Sequence, residues 1–186
     1  MNCKDIPLVI FAGGKSKRMG QNKALLPFDS SPTLTQFQLK RFSNTFKALY
    51  ISTKDKSIFD FEANFIEDIY KDISSPIIAL YSVLKSLDTN VVAILSVDTP
   101  FVQKEVYNKL LKDINYNQAI IPDYHPLCGV YKREILPTLE DMIKKDRHSL
   151  KELFEKIDVK KIRFDDETQF ENLNFYHEYE RALKKL

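Results

Sequence analysis

Between Phe11 and Phe28 the chain reads FAGGKSKRMGQNKALLPF, a stretch holding three of the four glycines of this 186-residue protein together with Lys15, Lys17, Arg18 and Lys23 and no acid. That combination suits phosphate. Glycine admits positive φ and lets backbone N–H groups approach an anion closely, Arg18 can grip two phosphate oxygens through its planar fork, and Lys15 and Lys23 add mobile positive charge. Spacing excludes two other phosphate loops. Five residues separate Gly14 from Gly20 and Gln21 follows, so the Walker A pattern fails, and G-x-G-x-x-G is absent as well. A second chemical group stands in ILSVDTPFV, where Asp98 follows an apolar run, Pro100 stiffens the turn behind it, and the carboxylate is a hard ligand suited to Mg²⁺. An Asp at such a place also serves as a turn former or helix cap.

Both groups need rigid elements behind them. Leu8 to Ala12, Ala48 to Ser52, Val91 to Val97 and Gln118 to Pro122 are continuous apolar runs, the pattern of parallel strands covered on both faces. Between them, TLTQFQLKRFSNTF, SPIIALYSVLKSL and KEVYNKLLKDI carry apolar residues at helical spacing. Each of these strands is therefore expected to be followed by a crossover helix, in an α/β fold built from βαβ units. Further along, PLCGVYK and VKKIRF read as strands, LPTLEDMIKK, SLKELFEKI and FYHEYERALKKL as helices, and the acidic DDETQFE as a solvated loop. An open sheet of this kind places its crevice at the carboxyl ends of its strands, where both the glycine-rich loop and Asp98 fall.

Composition narrows the function classes. With 28 bases against 26 acids the net charge is +2, so a polyanion would have to be met by a local patch, and the basic stretch is too short and too poor in interleaved aromatics to read as a nucleic-acid surface. Cys3 and Cys128 offer neither a disulfide framework nor metal-ligand spacing. The N-terminus lacks a basic leader followed by a long apolar region, and no apolar run approaches the roughly 20 residues of a membrane span, so a cytoplasmic protein without membrane contact is expected. With neither repeat nor linker, one domain over residues 1–186 is expected.

AGGKSKRMGQNKAL resembles the signature loop of nucleotidyltransferases with a glycosyltransferase-A-like fold, and within them most closely that of the molybdenum cofactor guanylyltransferases, the molybdopterin-guanine dinucleotide biosynthesis protein A family. Motifs in matching order extend the resemblance over nearly the whole chain. It implies a three-layer α/β/α Rossmann-like mixed sheet of the nucleotide-diphospho-sugar transferase type. It also implies a reaction in which GTP and molybdenum-bearing molybdopterin give the guanine dinucleotide cofactor and pyrophosphate, with Mg²⁺ as cofactor. By the same resemblance Phe11, Ala12, Gly13, Gly14, Arg18, Lys23, Ser52, Asp68 and Asp98 contact the nucleotide, Arg18, Lys23 and Asp98 carry the catalysis, and Asp98 holds the metal. Asp68, in FIEDIYKD, matches the family's guanine reader, and a carboxylate can accept together from the N1–H and 2-amino donors of that base. Asn172 and Asn174, expected on one side of a strand, match the pterin-binding asparagines of the family.

Departures from the family pattern keep alternatives open. Ser75-Pro76-Ile77-Ile78-Ala79 stands where the family has G-P-[apolar]-[small]-G, so the proline remains and both glycines are replaced. A cytidylyl or sugar-phosphate nucleotidyltransferase of the same fold is the nearest alternative, and a non-catalytic nucleotide-binding regulator is the alternative from another class. Transient contacts with cofactor-biosynthesis and acceptor enzymes accompany the family's function. His125 is read as a structural hydrogen-bonding residue, while Arg147 and His148, at a basic helix start, are positioned to meet an anionic second substrate or solvent.

Overall fold

A computed structural model describes residues 1–14 and 19–186. Its centre is a seven-stranded sheet in the order β3-β2-β1-β4-β6-β5-β7. The strands are β1 (Leu8–Phe11), β2 (Leu49–Thr53), β3 (Phe65–Glu67), β4 (Val91–Ser96), β5 (Ala119–Pro122), β6 (Val130–Lys132) and β7 (Val159–Ile162). β1 pairs in parallel with both β2 and β4, β2 with β3, and β5 with β7, whereas β6 runs antiparallel between β4 and β5. The sheet is thus mixed, with β6 alone reversed among the described strands.

The continuous apolar runs form the interior strands because both of their faces are covered. Leu8 and Ile10 of β1 join one core with α1 (Leu34–Phe42), α3 (Lys104–Leu110) and α6 (Tyr176–Leu183), while Val9 and Phe11 join the opposite core with α2 (Pro76–Ser86), α4 (Leu136–Lys144) and α5 (Leu150–Phe154). Three layers follow directly from the two-residue period of the strand. Local chemistry sets where helices begin: the Thr33 hydroxyl accepts from Gln36 N–H at 3.1 Å, and Ser75 accepts from Ile77 N–H at 3.1 Å ahead of Pro76.

Three expectations need correction. A crossover helix does not follow every strand. β3 was outside the expected strands, being three residues long, and β2 reaches it through coil and a single turn. β5 passes to β6 by a short segment, which antiparallel neighbours permit. The DDETQFE segment is not simply a solvated loop, since Phe170 within it is 1% exposed and packs against Phe164 and His125. Residues 171–174 are coil, so Asn172 and Asn174 do not share a strand. Among the described residues no helix is long and apolar enough to cross a membrane.

Candidate active site

At the carboxyl end of the parallel strands, Phe11 stands in register between Ser52 of β2 and Ser96 of β4. From β1 the chain crosses to β2 on one side and later returns as β4 on the other, which is the switch point where an open α/β sheet leaves a crevice. A cleft of about 380 Å³ opens there. Its walls bring together Phe11, Ala12, Gly13, Gly14, Lys23, Ser52, Asp68, Asp98 and Asn174, residues drawn from four strand ends and the C-terminal segment. Arg18, expected beside Lys23 on the phosphates, lies outside the described residues.

The glycines divide by task. Of the glycines, Gly20 has a positive φ, at +67°, and the Gly13-Gly14 pair does not. Among the described residues a Cβ on Gly14, which lines the cleft, would meet nothing within 4 Å, whereas a Cβ on Gly13 would touch Lys54 N at 3.4 Å. Bare backbone at Gly14 thus faces the place a ligand would fill.

Lys23 is delivered by a single helical turn, Lys23–Leu25, whose first N–H groups are capped by the Asn22 side chain, accepting from Ala24 N–H at 3.1 Å. Its Nζ lies 2.5 Å from Asp98 Oδ2, and each side chain is 14% exposed. Asp98 Oδ1 accepts from the Ser96 hydroxyl, so one carboxylate oxygen is held from the end of β4 and the other by Lys23. The C-terminal segment closes this pair: Leu173 N–H donates to the Asp98 carbonyl at 2.9 Å, and Lys23 Nζ donates to the Leu173 carbonyl at 3.2 Å. A cation and an anion, largely shielded from water at a glycine loop, form a charge-handling centre suited to phosphate chemistry.

Asp68 follows β3, its N–H donating to the Thr53 carbonyl at 2.9 Å. The residue is 6% exposed, and its buried Oδ1 has no hydrogen-bond partner among the described residues. Burial pushes its pKa up to about 6, against the opposing charge of Lys54. A buried acceptor without a donor is costly in the free protein, and a ligand bringing N–H groups would satisfy it.

A second cavity of about 230 Å³ adjoins the first through Ser96, Asp98, Leu127 and Asn174, and Asn172 lines it with Thr99 and Leu150. The two asparagines therefore meet in the second cavity, while only Asn174 reaches the first. They are presented by the ends of a coil that Glu178 holds, its Oε2 accepting from Asn174 N–H at 2.7 Å and Phe175 N–H at 3.0 Å. His125, also lining this cavity, stacks on Phe170 with ring centroids 4.6 Å apart. Arg147 pairs with Glu152 at 3.1 Å, and His148 with Asp146 at 2.9 Å. Ser75, in place of a glycine, caps α2 and donates to the His148 carbonyl at 3.2 Å, while Ala79 lines the cleft one helical turn on.

Sequence reasoning missed Ser96, Asn22 and Lys54. A Ser two residues before Asp98 on a strand end, and an Asn immediately before Lys23, were visible as capping and bridging patterns. Nothing local marked Lys54, which lines the cleft just past the end of β2, its backbone against Gly13.

The model of the MobA-like NTP transferase domain matches residues 8–161. A molybdenum cofactor guanylyltransferase of Campylobacter jejuni strain RM1221 is 38% identical with full coverage of both chains, and one of Helicobacter pylori strain G27 is 30% identical, covering 98% of this chain and 94% of its own. Among solved structures, the molybdopterin-guanine dinucleotide biosynthesis protein A of Archaeoglobus fulgidus superposes with a TM-score of 0.83 at 24% identity, covering 97% of this chain and 98% of that one.

Proposed function

We propose, on the premise that this chain belongs to the MobA-like NTP transferase family, that it is a nucleotidyltransferase moving GMP from GTP onto molybdenum-bearing molybdopterin, releasing pyrophosphate. Sheet and neighbouring structures are those of nucleotidyltransferases with the glycosyltransferase-A-like fold. The observation carrying the reading is that one cleft unites the glycine loop, the Lys23–Asp98 pair and the orphaned Asp68 carboxyl.

In that reading the triphosphate lies along Gly13 and Gly14, with the base over Ser52 and Asp68. A phosphate oxygen of the pterin, already ionised, attacks the α-phosphorus, a new P–O bond forms, and the bond to the β-phosphate oxygen breaks with its electron pair leaving on pyrophosphate. No protein nucleophile is needed. Lys23, the Gly14 amide and Arg18 neutralise charge gathering on the leaving group, and Asn172 and Asn174 hold the acceptor in the adjoining cavity. Asp98 suits Mg²⁺, which characteristically takes one or two carboxylates together with substrate phosphates; its Oδ2 already faces a cation, the Lys23 ammonium at 2.5 Å. Bound there, Mg²⁺ would supply Lewis-acid polarisation of the phosphates.

Pyrophosphate release tests this with GTP, CTP and ATP in Mg²⁺, with and without molybdate-loaded molybdopterin. Pterin-dependent release from GTP alone is expected. Asp98→Ala and Lys23→Ala should each lower turnover by about 10²- to 10³-fold with circular dichroism unchanged. Release from CTP would move the protein to cytidylyl transfer, and tight GTP binding without release would make it a regulator.

A further inference from the structure

We infer that Lys54 is a second base-reading residue, its ammonium donating to the 6-oxo group of guanine while Asp68 accepts from the N1–H and 2-amino groups. This deepens the guanylyl reading and rests on it.

The placement comes from sheet register. Ser52 pairs with Ile66 and Thr53 with Glu67, so the next residues along the two parallel strands are Lys54 and Asp68. Lys54 lies in a bend just past the end of β2, and Ser52, Lys54 and Asp68 all line the cleft. The Lys54 backbone also lies against the glycine loop, 3.4 Å from where a Gly13 Cβ would stand. Lys54 and Asp68 interact electrostatically but form no ion pair within 4 Å, because Lys54 Nζ donates instead to the Lys71 carbonyl at 2.7 Å, three residues beyond Asp68. A donor and an unsatisfied acceptor thus line the same cleft.

The Watson–Crick edge of guanine reads acceptor, donor, donor from O6 through N1 to the 2-amino group, which complements one ammonium followed by one carboxylate. Adenine opposes its 6-amino donors to the ammonium, and cytosine opposes its 4-amino group in the same way. Uracil matches at O4 and N3 but turns its second carbonyl onto the carboxylate. Guanine alone satisfies both side chains, and a site that leaves buried polar groups unpaired rejects the other bases.

The test compares Kd, and kcat against KM, for GTP, 6-thio-GTP and ITP in wild type, Lys54→Met and Lys54→Arg. A thiocarbonyl is a weak acceptor, so wild type should bind 6-thio-GTP about 10- to 100-fold more weakly than GTP, the size of a hydrogen bond to a charged group. Lys54→Met should lose a similar factor for GTP in KM with kcat little changed, and its preference for oxygen over sulfur should vanish. The penalty for ITP, which lacks the 2-amino group read by Asp68, should be equal in wild type and Lys54→Met, and Lys54→Arg should retain the oxygen preference. Equal binding of GTP and 6-thio-GTP by wild type overturns the Lys54 contact whether or not pyrophosphate is released, and needs no variant to fold. Uniform weakening of GTP, ATP and CTP in Lys54→Met also overturns it, making Lys54 a phosphate or ribose contact. Absence of pyrophosphate release alongside an intact oxygen preference would instead refute the transfer reaction and leave the base reading standing.

Discussion

Burying Asp68 with an unpartnered oxygen sets two opposite demands on one residue. Because its folded pKa is raised from 3.8 to about 6, the folded protein binds the carboxyl proton more tightly than the unfolded chain. Below pH 3.8 both states hold it and nothing is lost; between 3.8 and 6 stability falls as pH rises, and above 6 the whole penalty is present. Asp68→Asn should therefore raise the melting temperature at pH 8 and leave it little changed at pH 4, as thermal unfolding at the two pH values would report. The same substitution should weaken GTP, because an amide offers one acceptor where the carboxylate offers two and turns an N–H group toward the base. In wild type the KM for GTP should rise as pH drops through about 6. A GTP response that ignores Asp68→Asn would detach this carboxyl from the base, while an unchanged melting temperature would contradict its burial as an anion.

Elements place these residues through a few steric and hydrogen-bonded joints. β6 can lie between β4 and β5 because Gly129 precedes it: a Cβ there would come within 2.6 Å of Ile121 Cγ2 and 3.0 Å of the Ile120 carbonyl. Its own carbonyl accepts from Ile94 N–H at 2.8 Å, which ties the reversed strand to β4 beneath Asp98. Gly129→Ala should cost about 1–3 kcal/mol, since the methyl would overlap the branched Ile121 side chain while the Ile120 and Pro126 carbonyls, at 3.0 and 3.2 Å, limit its room to shift. Urea unfolding measures it, and an unchanged midpoint would mean that the β5–β6 joint is looser than the contacts imply. The C-terminal segment performs the corresponding task on the other side. Leu173 bonds to both Asp98 and Lys23, while α6 anchors it through the Tyr179 hydroxyl on the Pro27 carbonyl.

For the molecule as a whole, the cleft joins parts of the chain that are far apart in sequence, so a ligand filling it should stabilise every element at once. At a hundred times its Kd, GTP should add about 2.7 kcal/mol, raising the melting temperature of a chain this size by about 5–10 °C. CTP at the same concentration should do less, and equal shifts would remove the guanine preference. By itself the sequence determined the layers and the chemical groups: continuous apolar runs demand strands covered on both faces, helical spacing supplies the cover, and a glycine-rich basic loop with a strand-end Asp is legible because both signals are local. It also carried Asp68, Asn172 and Asn174 through matching motifs, though not the coil that presents the asparagines. Tertiary structure alone decided that Lys23 pairs with Asp98, that β6 is reversed, that a three-residue β3 exists, and that Lys54 stands beside Asp68. Those facts depend on strand order and register, which arise from packing between distant segments, and no local pattern of residues encodes which distant strand a short run will meet.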